Sequence, residues 1–317
     1  MENKIYIIGM GPGREDMMTN EAIYALEMAD VIIGYTTYVR LLGERFADKE
    51  ICSTPMKQEV ERCRLCYEEA AKGKKVALIC SGDAGIYGLA SLMYELQKEY
   101  PGTELEVIAG VTAAVSGAAV LGAPLNHDFC VISLSDLLTP WETIEKRLTA
   151  AAAGDFAIAL YNPSSHKRKD YLKKACDILL ALIEPERPCG YVENIGRDGT
   201  AHETCTLAEL RDRQVNMFTT VFIGNKSTVR MGEKMVTPRG YNNKSEKSII
   251  IFAGTTEGRH LADYASGLNI DTHIFVATEY GEMILKDDKS FDGNKCIIHT
   301  GRLDEAEIKE EIEKIVA

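Results

Sequence analysis

Three times in the first 122 residues a short apolar run gives way to a glycine-bearing loop and then to a stretch with helical periodicity. KIYIIG at 4–9 opens into MGPG, with TNEAIYALEMA beyond it. KKVALIC at 74–80 opens through SGDAG into IYGLASLMYELQKEY, and ELEVIAG at 104–110 opens into VTAAVSGAAVLG. Apolar runs alternating with helices specify an α/β fold on mostly parallel strands. Ligands of such sheets gather at the carboxyl ends of the strands, where all three glycine loops fall. In the first helix Thr19 is placed to cap the N-terminus, with Glu21 in the first turn.

A second block of the same texture begins near residue 128. FCVISL leads to TPWETIEKRLTAAAAG, with Thr139 expected to cap and Pro140 at the first helical position, and then to DFAIALY. A basic helix is expected around 167–182, followed by PCGYVEN and a strand-rich stretch, AHETCTLAEL and MFTTVFIG, so the second sheet should be mixed. After VTPRGY the six polar residues NNKSEK, 242–247, read as a linker. KSIIIFAGTTEG then starts another strand and glycine turn.

A chain of 317 residues is long for one core. The 48 acidic against 36 basic residues, a net charge of −12, argue against nucleic acid, which needs a basic face. No apolar run approaches the length of a membrane span or of a secretory signal, so a cytoplasmic protein is expected. Nine scattered cysteines suit reduced thiols. Cys63 and Cys66 share a helical stripe with Val60 and Tyr67, and without a second pair they read as core rather than metal ligands; no metal site is expected.

GMGPG is a poor dinucleotide cradle. Arg14 stands where the third glycine of G-x-G-x-x-G belongs, and Pro12 lacks a backbone N–H. A nicotinamide dehydrogenase built on this loop is therefore disfavoured. In SGDAGIYG the glycines allow close backbone approach; Asp83 reads either as an acceptor for ribose hydroxyls or a cation, or as a helix N-cap. His166, Lys167, Arg168 and Lys169 form the densest basic cluster, and at a helix N-terminus they oppose the macrodipole, which favours a use such as binding carboxylates. His127 and Asp136 each read as a proton-transfer group or as a structural residue.

GMGPG, SGDAGIYG, AGVTAA, LGAPLNHDFCVISLSDLLTPWE, LYNPSSHKR, VENIGR, TTVFIGN and VTPRGY occur in the order and spacing of the tetrapyrrole methylases of cobalamin synthesis. The run from LGAP to Trp141–Glu142 and the VTPRGY ending resemble the precorrin-3B C17-methyltransferase branch, which also acts on cobalt-factor III. The resemblance covers residues 3–241. It implies two α/β domains, 1–122 and 123–241, with S-adenosylmethionine in the cleft between them, and a homodimer. Pro12, Gly82, Asp83, Ile86, Thr112, Ala113, Tyr161, Asn162, Asn194 and Thr220 would surround the cofactor, and His166, Lys167 and Arg168 would meet carboxylates of the tetrapyrrole. The cofactor has no pyrophosphate, which explains the missing third glycine.

The resemblance implies methylation at C17 with ring contraction. A sister methylase acting at C11 or C20, or a module that binds the cofactor or a corrinoid without turnover, is the alternative. Relatives acting on uroporphyrinogen carry an Asp where ADVIIGYTTY has Tyr35, so no base carries over from them. The candidates for proton transfer are His127, Asp136 and Asp83. Residues 248–317 resemble the opening of precorrin-6A reductase, a Rossmann-like α/β enzyme that uses NADPH; a partial segment without reductase activity is expected.

Overall fold

The computed structural model describes residues 3–165, 168–241, 248–267, 271–286 and 296–316. The predicted linker at 242–247 and the candidates His166 and Lys167 lie outside the described residues. The chain divides into two compact units, Met1–Arg239 and Gly240–Ala317.

The first sheet is built from β1 (Lys4–Gly9), α1 (Asn20–Met28), β2 (Val31–Tyr35), α2 (Thr36–Val39), β3 (Glu50–Thr54), α3 (Glu59–Ala71), β4 (Val76–Cys80), α4 (Ala90–Leu96) and β5 (Glu104–Ile108). Its strand order is β3-β2-β4-β1-β5, and every pair is parallel. Helices cover both faces, so β4 is buried along its whole length and shows no alternation. One face packs Cys63, Cys66 and Tyr67 of α3 and Met93 of α4 against Ile5, Ile7 and Leu78. The other packs Leu26 of α1 and Phe46 against Ile8, Ile32 and Ile79. The two cysteines are core residues, as their helical stripe predicts, whereas Val60 is 43% exposed and lies off it.

α5 (Ala113–Leu121) follows β5 but packs on the second sheet, where Ala114, Ala118 and Leu121 meet Val192, Ile195 and Phe222. A side chain at Gly117 would stand 2.8 Å from the Phe222 ring, so glycine sets how close this helix lies. After the short β6 (Gly122–Ala123), the second sheet is built from β7 (Phe129–Ser133), α6 (Trp141–Ala153), β8 (Ala157–Tyr161), α7 (Tyr171–Leu180), β9 (Pro188–Glu193), β10 (Ala201–Thr206), α8 (Leu207–Leu210) and β11 (Thr219–Ile223). Its order is β10-β9-β11-β8-β7, with β7–β8 parallel and the rest antiparallel. β6 instead pairs with β13 (Lys234–Val236), which pairs in turn with β12 (Val229–Met231).

Local expectations fare unevenly. Thr19 caps α1 by accepting from Ala22 N at 3.1 Å. α6 begins at Trp141 with Pro140 in the N-cap position and no side-chain cap, one residue later than predicted, so Thr139 does not cap it. α7 begins at Tyr171 with Asp170 at its N-cap, so Arg168 and Lys169 precede the helix rather than form its first turn as predicted. TLAEL is not strand throughout. Thr206 and Glu209 form a reciprocal capping box that starts α8, a T-x-x-E signature that outweighs the β-propensity of the residues before it.

The second unit contains β14 (Ser248–Phe252), α9 (Thr256–Gly267), β15 (Asp271–Val276), α10 (Glu279–Lys286), β16 (Cys296–Thr300) and α11 (Glu305–Val316). Its strands form a parallel sheet ordered β14-β15-β16. Gly258 lets α9 start hard against β14, since a Cβ there would lie 2.9 Å from Ala253 Cα and from Phe252 O. Among the described residues no helix is long and apolar enough to cross a membrane.

Candidate active site

Three loops meet at the carboxyl ends of β1, β4 and β5. Gly11 N donates to Gly82 O at 3.1 Å and Gly82 N returns a bond to Gly11 O at 2.7 Å, an isolated antiparallel bridge between the first two loops. The third loop is joined by Asp83, whose carboxylate accepts from Gly85 N at 2.8 Å and from Gly110 N at 2.9 Å. Glycine is required at this junction. A Cβ at Gly110 would stand 2.1 Å from Gly82 O, and one at Gly9 2.6 Å from Gly110 N. Asp83 therefore clamps loops together. It is not the cap of a helix, because α4 begins only at Ala90.

The second sheet supplies the facing wall. β11 runs antiparallel to β8 and β9, so its amino end lies beside their carboxyl ends. This places Thr219 and Thr220 with Tyr161 and Asn162 at the end of β8 and with Asn194, Ile195 and Arg197 after β9. The cleft between the two walls is lined by Pro12, Tyr38, Ser81, Gly82, Ile86, Tyr87, Thr112 and Ala113 on one side, and by these residues with Met217 and Phe218 on the other.

Tyr161 ties the Thr112 loop and the start of α5 to the second sheet. Its hydroxyl lies 2.6 Å from Thr112 Oγ1 and accepts from Ala114 N at 2.6 Å. Thr112, at the N-cap of α5, makes no cap of its own, and Tyr161, from the sheet on which α5 packs, satisfies that N–H. Tyr87 crosses in the opposite direction, donating to Val131 O at 3.0 Å and accepting from Ser133 N at 3.1 Å. Tyr87, Asn162 and Asn194 all adopt left-handed backbone, with φ of 55°, 54° and 51°. Each costs about 1–3 kcal/mol and persists only where surrounding contacts hold it. Burial raises the Tyr38, Tyr87 and Tyr161 hydroxyls above the usual phenol range, so at neutral pH all three are uncharged.

Arg197 is the one charged side chain among the described lining residues. Its Nε donates to Pro12 O and its Nη2 to Ser81 Oγ, both at 3.1 Å. Its guanidinium lies 5.0 Å from the Phe218 ring centroid and 6.0 Å from that of Tyr38. Burial lowers its pKa.

Nine of the ten residues expected around a cofactor line this one cleft: Pro12, Gly82, Ile86, Thr112, Ala113, Tyr161, Asn162, Asn194 and Thr220. Asp83 does not, because both its oxygens are turned to backbone N–H groups. The proton-transfer candidates are not brought together. His127 is exposed between β6 and β7. Asp136 accepts from Tyr171 Oη at 2.5 Å and from Arg168 Nη1 at 3.3 Å, and these donors hold its carboxyl below the usual range. Arg168 also donates to Ser135 Oγ at 2.5 Å. Ser135 N donates to Ser133 Oγ, which accepts from Asn162 at 2.9 Å, so this polar chain starts at the cleft wall and leads away from it. Residue-level reading missed Arg197 although VENIGR was singled out, because nothing in the sequence says that the last residue of that motif turns into the cleft. Among the described residues no group of three or more His, Cys, Asp or Glu is placed to hold a metal ion.

The family described as tetrapyrrole (corrin/porphyrin) methylases matches residues 4–211. A Salmonella typhimurium protein named probable cobalt-factor III C(17)-methyltransferase is 47% identical over 236 residues, 74% of this chain and 98% of that one. A Sinorhizobium precorrin-3B C(17)-methyltransferase is 35% identical over 256 residues, 78% of this chain and all of that one. The crystal structure of the methyltransferase CobJ superposes with a TM-score of 0.69 at 39% identity, covering 74% of this chain and 99% of that one.

Proposed function

Because the chain belongs to the tetrapyrrole (corrin/porphyrin) methylase family, we propose that it methylates C17 of a precorrin-3-type macrocycle, with ring contraction, in cobalamin synthesis. The observation that carries this reading is the identity with the cobalt-factor III C17-methyltransferase along 98% of that protein's length. Identity is higher to that relative than to the precorrin-3B enzyme, which favours the cobalt-loaded macrocycle as substrate.

The cofactor in this reading is S-adenosylmethionine, which supplies a methyl group from a sulfonium that becomes a neutral thioether. The cleft fits it chemically. The absence of a side chain at Gly82 lets a ligand approach the backbone, Tyr38 and Phe218 offer aromatic faces, and the broken dinucleotide fingerprint matches a ligand without pyrophosphate. The residues act by alignment and by excluding water. Tyr87 bonds the first wall to β7, Tyr161 fixes the start of α5 on the second sheet, and the glycine junction fixes the loops that would grip the cofactor. The described lining residues include no carboxylate or imidazole, so no general base is assigned among them. Halves at 1–122 and 123–241, a homodimer and a cytoplasmic location complete the reading; sedimentation velocity tests the dimer.

Incubation with S-adenosylmethionine and cobalt-factor III, and separately with precorrin-3B, tests the reading. A mass gain of one methyl group and a changed absorption spectrum are expected. A response only to a later intermediate would make the chain a sister C11 or C20 methylase, and cofactor binding without transfer would make it a binding module. For the second unit we propose a segment like the opening of precorrin-6A reductase. Its parallel βαβαβ order and the glycine turn opening α9 support this, and titration with NADPH tests whether the nucleotide binds.

A further inference from the structure

The loop carrying Arg197 is built to carry a cation across the cleft. Gly196 adopts φ +66°, and a side chain there would meet Met17 Sδ at 2.7 Å and Pro12 Cγ at 3.2 Å. Gly13 faces it, where a Cβ would stand 2.3 Å from Gly196 O. With glycine at both positions the two loops interlock, and the guanidinium reaches from the second wall to Pro12 O and Ser81 Oγ on the first. A guanidinium has five N–H donors; these bonds engage one on Nε and one on Nη2. Arg197 Nη1 makes no hydrogen bond or ion pair among the described residues. Three other arginines have acid partners, Arg168 with Asp136, Arg187 with Glu184 and Asp155, and Arg45 with Glu27, whereas buried Arg62 spends its Nη2 on Thr54 O and Pro55 O.

A partly desolvated guanidinium without a counter-ion is costly unless a ligand supplies one. No described lining residue does, because the lining contains neither Asp nor Glu.

We infer that Arg197 is the carboxylate anchor of the cleft, its Nη1 edge receiving a carboxylate of the bound ligand. The inference rests on the functional reading above, in which two ligands carry that group: the aminoacyl end of the cofactor and the side chains of the macrocycle. Its position against Pro12 and Ser81, on the wall of glycine loops, favours the cofactor. A charge-assisted, fork-shaped contact is worth roughly a tenfold to hundredfold change in affinity.

Calorimetry with S-adenosylhomocysteine and with its analogue lacking only the carboxylate, S-adenosyl-3-thiopropylamine, tests it. The wild-type chain should bind the analogue roughly 10- to 100-fold more weakly. Arg197→Met and Arg197→Gln should bind the two alike, within about threefold, while Arg197→Lys recovers part of the discrimination. Gln can still donate to Pro12 O, which guards against a Met variant that fails to fold, and the wild-type comparison needs no variant. If both proteins bind the two cofactor ligands with one ratio but the variants lose affinity for cobalt-factor III by a similar factor, the anchor serves the macrocycle. Variants that keep the wild-type ratio and the wild-type macrocycle affinity overturn the inference. A wild-type chain that binds no S-adenosylhomocysteine refutes the functional reading instead, and the macrocycle arm then decides the anchor.

Discussion

Replacing Gly110 with alanine tests whether the three-loop junction organises the cleft. The added Cβ would stand 2.1 Å from Gly82 O and 2.5 Å from both Gly9 C and Gly9 O. All three are backbone atoms of neighbouring loops, so no flexible side chain can yield. Relief requires the 109–112 loop to withdraw, which stretches the bond from Gly110 N to Asp83. Overpacking costs about 1–3 kcal/mol and a weakened bond to a carboxylate about 1.5–3 kcal/mol; together roughly 3–5 kcal/mol is expected. For a unit of this size that lowers the melting temperature by about 6–20 °C. The single tryptophan, Trp141, lies in the first unit, so its fluorescence reports the melting of that unit. Gly199→Ala is the control. Gly199 has φ +72° with nothing within 4 Å of a built Cβ, so only the backbone penalty of about 1–2 kcal/mol applies. Calorimetry with S-adenosylhomocysteine should show affinity falling about tenfold or more in the Gly110 variant and holding in the control. A Gly110→Ala chain that melts within about 2 °C of wild type and binds with unchanged affinity would refute the argument.

Tyr161→Phe removes the bonds to Thr112 and Ala114 N while keeping the ring beside Tyr87; a loss of about 1–2 kcal/mol is expected, read by denaturant titration. Asp136 has its carboxyl pKa lowered by Tyr171 and Arg168, so its stabilisation is complete above the unfolded value near 3.9 and is lost as pH falls through the folded value. The stability gap between wild type and Tyr171→Phe should hold constant above about pH 5 and shrink below about pH 4; a gap that grows on acidification would contradict this. Burial pushes the thiols of Cys63 and Cys176 up to about 12 and those of Cys66 and Cys189 well above the usual range. At pH 8 a disulfide reagent should therefore modify these four only on unfolding, whereas half-buried Cys52 should react before them. Prompt native-state labelling of Cys66, mapped by peptide mass, would show the first core to be open.

The elements that were legible are those whose cause is local. Thr19 caps α1 through a side chain three residues from its partner, and β4, which opens onto a glycine loop, is a stretch of apolar residues buried on both faces. Where two local signals competed the reading slipped: TLAEL carried a capping box amid β-forming residues, and Thr139–Pro140 offered two starts for one helix, of which neither residue's side chain supplies the cap.

By itself the sequence determined the alternation of strands and helices, and the glycine loops at the strand ends. Through its motifs it also identified nine residues that line one cleft. The first two follow from periodicity and backbone freedom, properties of short stretches, and the nine residues from the resemblance of its motifs to a family. Only the tertiary structure decided what each polar group does. Asp83 became a clamp because Gly110, 27 residues away, presents its N–H. Tyr161 became the cap of a helix that begins 48 residues earlier. Arg197 lies across the cleft because its loop locks against Gly13, more than 180 residues back in the chain, with no acid beside it. A side chain's role depends on which donors, acceptors and charges surround it, and those neighbours are chosen by the fold rather than by adjacency in the chain.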